Sequence, residues 1–100
     1  MTAREAPGLQ RLTARIEGKV QGVGFRWWVR SRAAELGLTG WVMNADDERG
    51  VVVVAEGPVD RLDGLERMLW QGPGAARVER VDATREAASG EFSRFEISRR

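Results

Sequence analysis

An α+β sandwich is the fold class that the sequence predicts: two helices on one face of an antiparallel sheet, in the order β-α-β-β-α-β. Three observations point to it. Apolar residues alternate with polar ones from Leu12 to Val20. Two later stretches, 25–36 and 59–69, repeat apolar residues at helical spacing. A polar turn, "ADDERG", separates two strand-like runs, as in a hairpin. At 100 residues, 42% hydrophobic and 31% charged, the chain suits one domain around one core.

Residues 1–9 read as a loose tail with Pro7-Gly8 as a breaker, and 10–100 as the domain. In the first strand Leu12, Ala14, Ile16, Gly18 and Val20 share one side, and Arg11, Thr13, Arg15, Glu17 and Lys19 share the other. The segment "QGVGF" interrupts this period. Phe25, Val29, Ala33 and Leu36 then give a helix that Gly37 stops. Trp28 shares its buried face. "TGWVMNA" is the second strand, with Val42 on one face and Trp41 and Met43 on the other; Trp41 is expected to fill the core, as is Trp28. Trp27 and Trp70 are expected at the surface, with no substrate role. The β-branched run in "VVVVAEG" makes the third strand. Val59, Leu62, Leu65, Met68 and Leu69 make the second helix, and "GPG" at 72–74 ends it. A weaker strand carries Val78, Val81 and Ala83, and "FSRFEIS" carries the last; a short extra piece is expected between Ala83 and Phe92. This order is that of the ferredoxin-like split βαβ sandwich.

Composition excludes several functions. The net charge is +1, which leaves no electrostatic footprint for nonspecific nucleic-acid binding. No apolar run approaches the roughly 20 residues that span a bilayer, and "MTAREAPGLQ" lacks a signal peptide's apolar stretch. A cytoplasmic protein with no membrane partner is expected. Without His, Cys or Tyr there is no phosphohistidine or phosphocysteine route, and the usual soft metal ligands are missing. An enzyme built this way works by positioning and electrostatics, or with carboxylates.

The segment "GKVQGVGFRWW", Gly18–Trp28, admits three readings. Gly22 and Gly24 could simply turn a strand sharply into a helix. The segment could be an RNA platform, but such aromatics must alternate on a strand, and here they carry a helical pattern. Or the loop could cradle an oxyanion, because the first N–H groups of a helix lack partners and its dipole favours negative charge. No GxxxxGK[ST] string is present, and no third glycine completes a dinucleotide fingerprint. Arg26, just past the glycines, can pair two phosphate oxygens with its fork. Asn44, at the end of a strand, could be only a turn former.

"EGKVQGVGFRWWV" followed by "LGLTGWVMN" resembles the acylphosphatase family, and the likeness continues through "VVVVAEGP", "WQGPGAARVERV" and the closing "FEI", from about residue 10 to 98. The resemblance implies the ferredoxin-like fold, a monomer, a small acyl phosphate as substrate, and no cofactor, metal or nucleic acid. It implies a catalytic pair, Arg26 and Asn44, and a phosphate cradle from Gln21 through Gly22, Val23, Gly24 and Phe25 to Arg26. In the implied reaction water attacks while the protein holds the phosphoryl group, and the carboxylate leaves without a strong general acid. The turn after Asn44 is one residue longer than the family's usual Asp-Gly turn and carries Asp46, Asp47 and Glu48. These are expected to form a solvated hairpin tip. A catalytically idle module that binds an anionic ligand or RNA in the same cradle is the alternative.

Overall fold

Alternation and helical spacing become regular structure close to where the sequence puts them. The computed structural model describes residues 8–98. Its elements are β1 (Leu9–Lys19), α1 (Phe25–Glu35), β2 (Thr39–Asn44), β3 (Gly50–Pro58), α2 (Val59–Gln71), β4 (Arg77–Ala87) and β5 (Phe95–Ile97). The sheet order is β4-β1-β3-β2-β5. Both helices cover one face, α1 over β2 and β5, and α2 over β4, β3 and β1. Most of the expected tail lies outside the described residues, but Leu9 already pairs with Pro58 in the sheet.

One element runs differently from the expectation. The sheet is not wholly antiparallel, because β5 pairs parallel with β2. The reason is topological. β4 runs antiparallel to β1 and ends beside its start, with Ala87 opposite Gln10. Residues 88–94 then cross that end of the sheet and reach the far edge where β2 also starts, so Gly40 meets Phe95 and Val42 meets Ile97. The expected extra piece after Ala83 is the continuation of β4 to Ala87.

The core lies between sheet and helices. Leu12, Ala14 and Ile16 of β1, Val51, Val53 and Ala55 of β3, and Val42 of β2 meet Phe25, Val29 and Ala33 of α1 and Leu62, Leu65 and Leu69 of α2, all nearly inaccessible to solvent. Burying each large side chain is worth about 1.5–3 kcal/mol. Trp28 packs beside this core, its ring 5.6 Å from Phe25. Trp41 does not. It stands on the opposite sheet face, where it pairs with Val54 and is only partly buried. Alternation puts Val42 inward, so its neighbour must face out.

A charged residue is buried on that outer face. Glu56 is 5% exposed. Its Oε2 accepts from Arg11 Nε (2.7 Å), the Ser89 N–H (2.8 Å) and the Ser89 hydroxyl (2.9 Å), and Oε1 accepts from the Gly90 N–H (2.9 Å). Arg11 also pairs with Glu91 and lies 5.2 Å from the centre of the Phe92 ring. The carboxylate thus pins the 88–92 crossing onto β1 and β3. Burial pushes its pKa up, but the Ser89, Arg11 and Gly90 donors outweigh this and bring it from 4.5 down to about 2.

This sets an acid limit on the fold. Because the folded pKa is lower, the unfolded chain takes up a proton first as pH falls below about 4.5, and the stabilisation is gone near pH 2. Its size is roughly 3 kcal/mol. Urea unfolding from pH 7 to pH 2 is expected to show this loss. Glu56→Gln is expected to be less stable at pH 7 by roughly 2–3 kcal/mol and to lose less on acidification.

Candidate active site

The two strings singled out in the sequence come together at one end of the sheet. β1 and β2 both run antiparallel to β3, so their C-terminal ends lie at the same side. From one leaves the loop 20–24 into α1; at the other stands Asn44. Asn44 shares the face of Val42, the face that α1 covers.

The loop conformation follows from its glycines. Gly22 has φ 74° and Gly24 φ 77°, left-handed values that cost other residues about 1–2 kcal/mol. An added Cβ at either position would meet nothing within 4 Å, so the backbone angle and not crowding calls for glycine. Between them the side chain of Val23 packs on the core, and Phe25 is 1% exposed within it. Apolar anchors thus turn inward while the peptide groups stay outside.

Gly24 is the N-cap of α1 and offers no side-chain oxygen, and the first turn contains no acid. The first helical bond is from the Trp28 N–H to the Gly24 carbonyl, 3.0 Å. Among the described residues no acceptor is found for the N–H groups of residues 22–26. The helix start even carries a cation, Arg26, which is half-buried and has no ion-pair partner among the described residues. In contrast, α2 has Asp60 in its first turn. A helix N-terminus without side-chain cap or acid, bearing an arginine, leaves its first N–H groups and the positive end of its dipole without a countercharge among the described residues.

Gln21 has a different task from the rest of the loop. Its Nε2 donates to the Gly50 carbonyl (2.7 Å) and the Asp47 carbonyl (2.8 Å), and the hairpin is closed by the Ala45 N–H on the same Gly50 oxygen (2.9 Å). The side chain therefore ties the loop after β1 to the turn after β2 and fixes Asn44 relative to the cradle. The sequence pattern includes Gln21 in the cradle but does not reveal this bridge.

The acidic turn is exposed, and one of its acids, Asp47, is paired toward the helix-free sheet face. Asp46, Asp47 and Glu48 are exposed. Asp47 accepts from the Arg49 N–H (3.1 Å) and pairs with Arg15 (2.6 Å), which stands on the helix-free sheet face. The Arg49 N–H, and then Arg15, hold its carboxyl below the usual range.

Asn44 carries an unsatisfied hydrogen-bond acceptor. Its Oδ1 is buried and has no hydrogen-bond partner among the described residues. Such an acceptor costs about 1–3 kcal/mol. Taken together, loop, Arg26 and Asn44 offer anion donors and a lone acceptor at one sheet end. Among the described residues no group of three His, Cys, Asp or Glu side chains could hold a metal. The RNA platform loses its support, since Phe25, Trp27 and Trp28 lie on a helix and the outer face of β1 carries Arg11, Thr13, Arg15 and Glu17.

The family model for acylphosphatase matches residues 12–97. The chain belongs to the acylphosphatase family. It is 51% identical to an acylphosphatase of Nocardia farcinica over 86 residues, covering 86% of this chain and 85% of that one. An acylphosphatase structure from Coxiella burnetii superposes with TM-score 0.88 at 38% identity, covering 98% of this chain and all of that one. One from Bacillus subtilis gives TM-score 0.84 at 34% identity, over 89% of this chain and 98% of that one. Membership in the acylphosphatase family supports acyl phosphate hydrolysis as the activity and makes the chain a hydrolase. No helix among the described residues is long and apolar enough to cross a membrane.

The backbone angle at Gly24 is testable on its own. Gly24→Ala is expected to lower the melting temperature by roughly 5 °C. Gly24→Asn should lose less, because Asn tolerates left-handed angles. Gly74→Ala, where an added Cβ also meets nothing within 4 Å and φ is not positive, is the control and should not lower it.

Proposed function

We propose that the chain hydrolyses the carboxyl–phosphate bond of small acyl phosphates without a metal, with the phosphoryl group held by Arg26 and the 21–26 loop and the water aimed by Asn44. The observation that carries this reading is the Oδ1 of Asn44, buried and without a partner among the described residues, at the sheet end from which loop 20–24 rises. An isolated acceptor there fits a water that donates a hydrogen bond to it. The N–H groups of Gly22 to Arg26 and the Arg26 fork meet the phosphoryl oxygens, where negative charge sits throughout the displacement.

The water oxygen bonds to phosphorus as the bond from phosphorus to the acyl oxygen breaks. The acyl oxygen leaves as a carboxylate, whose weak basicity removes the need for an acid. The water proton passes to a phosphoryl oxygen, giving inorganic phosphate. Asn44 does not take it, because an amide is too weak a base; the amide orients the water through Oδ1. The Gln21 bridge keeps cradle and amide in one frame, so positioning supplies most of the effect.

Turnover of benzoyl phosphate checks this. Arg26→Ala and Asn44→Ala are each expected to lower kcat/KM at least about 100-fold. The Asn44 variant should unfold no more easily than the wild type, because it removes an unsatisfied acceptor. Rates should be unchanged by EDTA. Full activity in both folded variants would overturn the assigned roles. Binding of phosphate without any turnover by the wild type would favour an idle anion-binding module.

A further inference from the structure

Beside Arg26 a groove of about 390 Å³ opens between α1 and β5. Arg26, Trp27 and Arg30 form one wall, and Arg94, Phe95, Glu96 and Ile97 the other. Its size falls in the range of small-molecule sites. Arg26 and Arg30 are one helical turn apart, so both guanidinium groups serve the same groove. Like charges at this spacing repel, and neither arginine has an ion-pair partner among the described residues. On the facing wall, Arg94 and Glu96 neutralise each other through a 2.6 Å pair. Among the described residues, that leaves the charge of Arg30 uncompensated at the groove.

Trp27 adds a second oddity. It is 60% exposed on a helix whose other aromatic residues are buried or half-buried, and its ring lies 5.6 Å from the Arg30 guanidinium carbon. Stacking of this kind restrains an arginine and leaves its N–H edge free to pair with a carboxylate.

We infer that this groove receives the acyl group, and that Arg30, braced by Trp27, selects acyl phosphates whose acyl chain ends in a carboxylate. The inference rests on Arg26 as the phosphoryl ligand. With the phosphoryl group on Arg26, the acyl chain extends along α1 toward Arg30. A chain of about five carbons spans a helical turn and brings a terminal carboxylate to Arg30. A neutral chain of equal length can fill the groove, but it leaves the Arg30 charge without a partner.

Paired substrates of equal length give the test: glutaryl phosphate, which ends in a carboxylate, and pentanoyl phosphate, which does not. The wild type is expected to favour glutaryl phosphate in kcat/KM by about tenfold or more. Arg30→Gln, on an exposed helix position, should bring that ratio close to one, chiefly by raising KM for glutaryl phosphate. Arg30→Lys should restore part of it, and Trp27→Ala should weaken it. A wild type active on pentanoyl phosphate but without preference overturns the inference alone. So does a preference that Arg30→Gln leaves intact. A wild type inactive on both substrates but active on benzoyl phosphate overturns this inference alone; one inactive on all three overturns the proposed hydrolysis and this inference with it.

Discussion

A carboxylate buried at one end of the sheet determines where a wall of the site at the other end stands. The β4 strand finishes on the wrong edge to support α1. Only the crossing at 88–94 carries the chain back to the edge beside β2, and the crossing has few apolar contacts of its own. Glu56 holds it by receiving two backbone N–H groups and the Ser89 hydroxyl, with Arg11 supplying the countercharge. Leaving such a charge unpaired would cost several kcal/mol, so pairing it makes the register of the crossing hard to change. From there β5 follows, and β5 is one of the two strands on which α1 rests. The direction of α1, and so of Arg26 and Arg30, depends on a contact at the far end of the molecule.

The other end of the sheet is built in the opposite manner. Where Glu56 is fully satisfied, the start of α1 is left open: a glycine cap in a left-handed conformation, no acid in the first turn and an arginine where a carboxylate would serve the helix better. The helix is not kept in place by its cap. Phe25, Val29 and Ala33 bury its inner face, and that packing outweighs the few tenths to one kcal/mol that a favourable terminus would add. The fold can therefore hold peptide N–H groups in position with no partner of its own.

Sequence periodicity carries the elements well and their surroundings less well. The alternation in β1 and the spacing of Phe25, Val29 and Ala33 are physical consequences of having one buried face, so they are readable directly. The aromatic character of Trp41 suggests the core, although the alternation with Val42 turns it to the outer face; geometry wins over hydrophobicity there. The direction of β5 could not be read from three residues, because a strand's own pattern does not say which neighbour it meets. Glu56 has a faint signal, a lone acid after a β-branched run in a central strand, but its donors are 33 to 45 residues away in sequence. The two strings that carry residues 21–26 and Asn44 stand out in the sequence, and the structure brings them to one end of the sheet, whereas the Gln21 bridge between them depends on carbonyl groups that any residue could provide.

That bridge bears on how the hairpin after Asn44 keeps its place. A polar turn after Asn44 would ordinarily give the strand end freedom to tilt. Here the turn is held at both sides: the Gln21 amide takes the Asp47 and Gly50 carbonyls, and Arg15 takes the Asp47 carboxylate from the helix-free face. The Asp47 carboxylate is thereby used as an anchor to the helix-free sheet face. A surface ion pair alone is worth little, but combined with two backbone carbonyls held by one amide it restrains position more than it adds stability. Restraint is what the role proposed for Asn44 requires, since an amide that only aims a water works by being in the right place and has no other chemistry to offer.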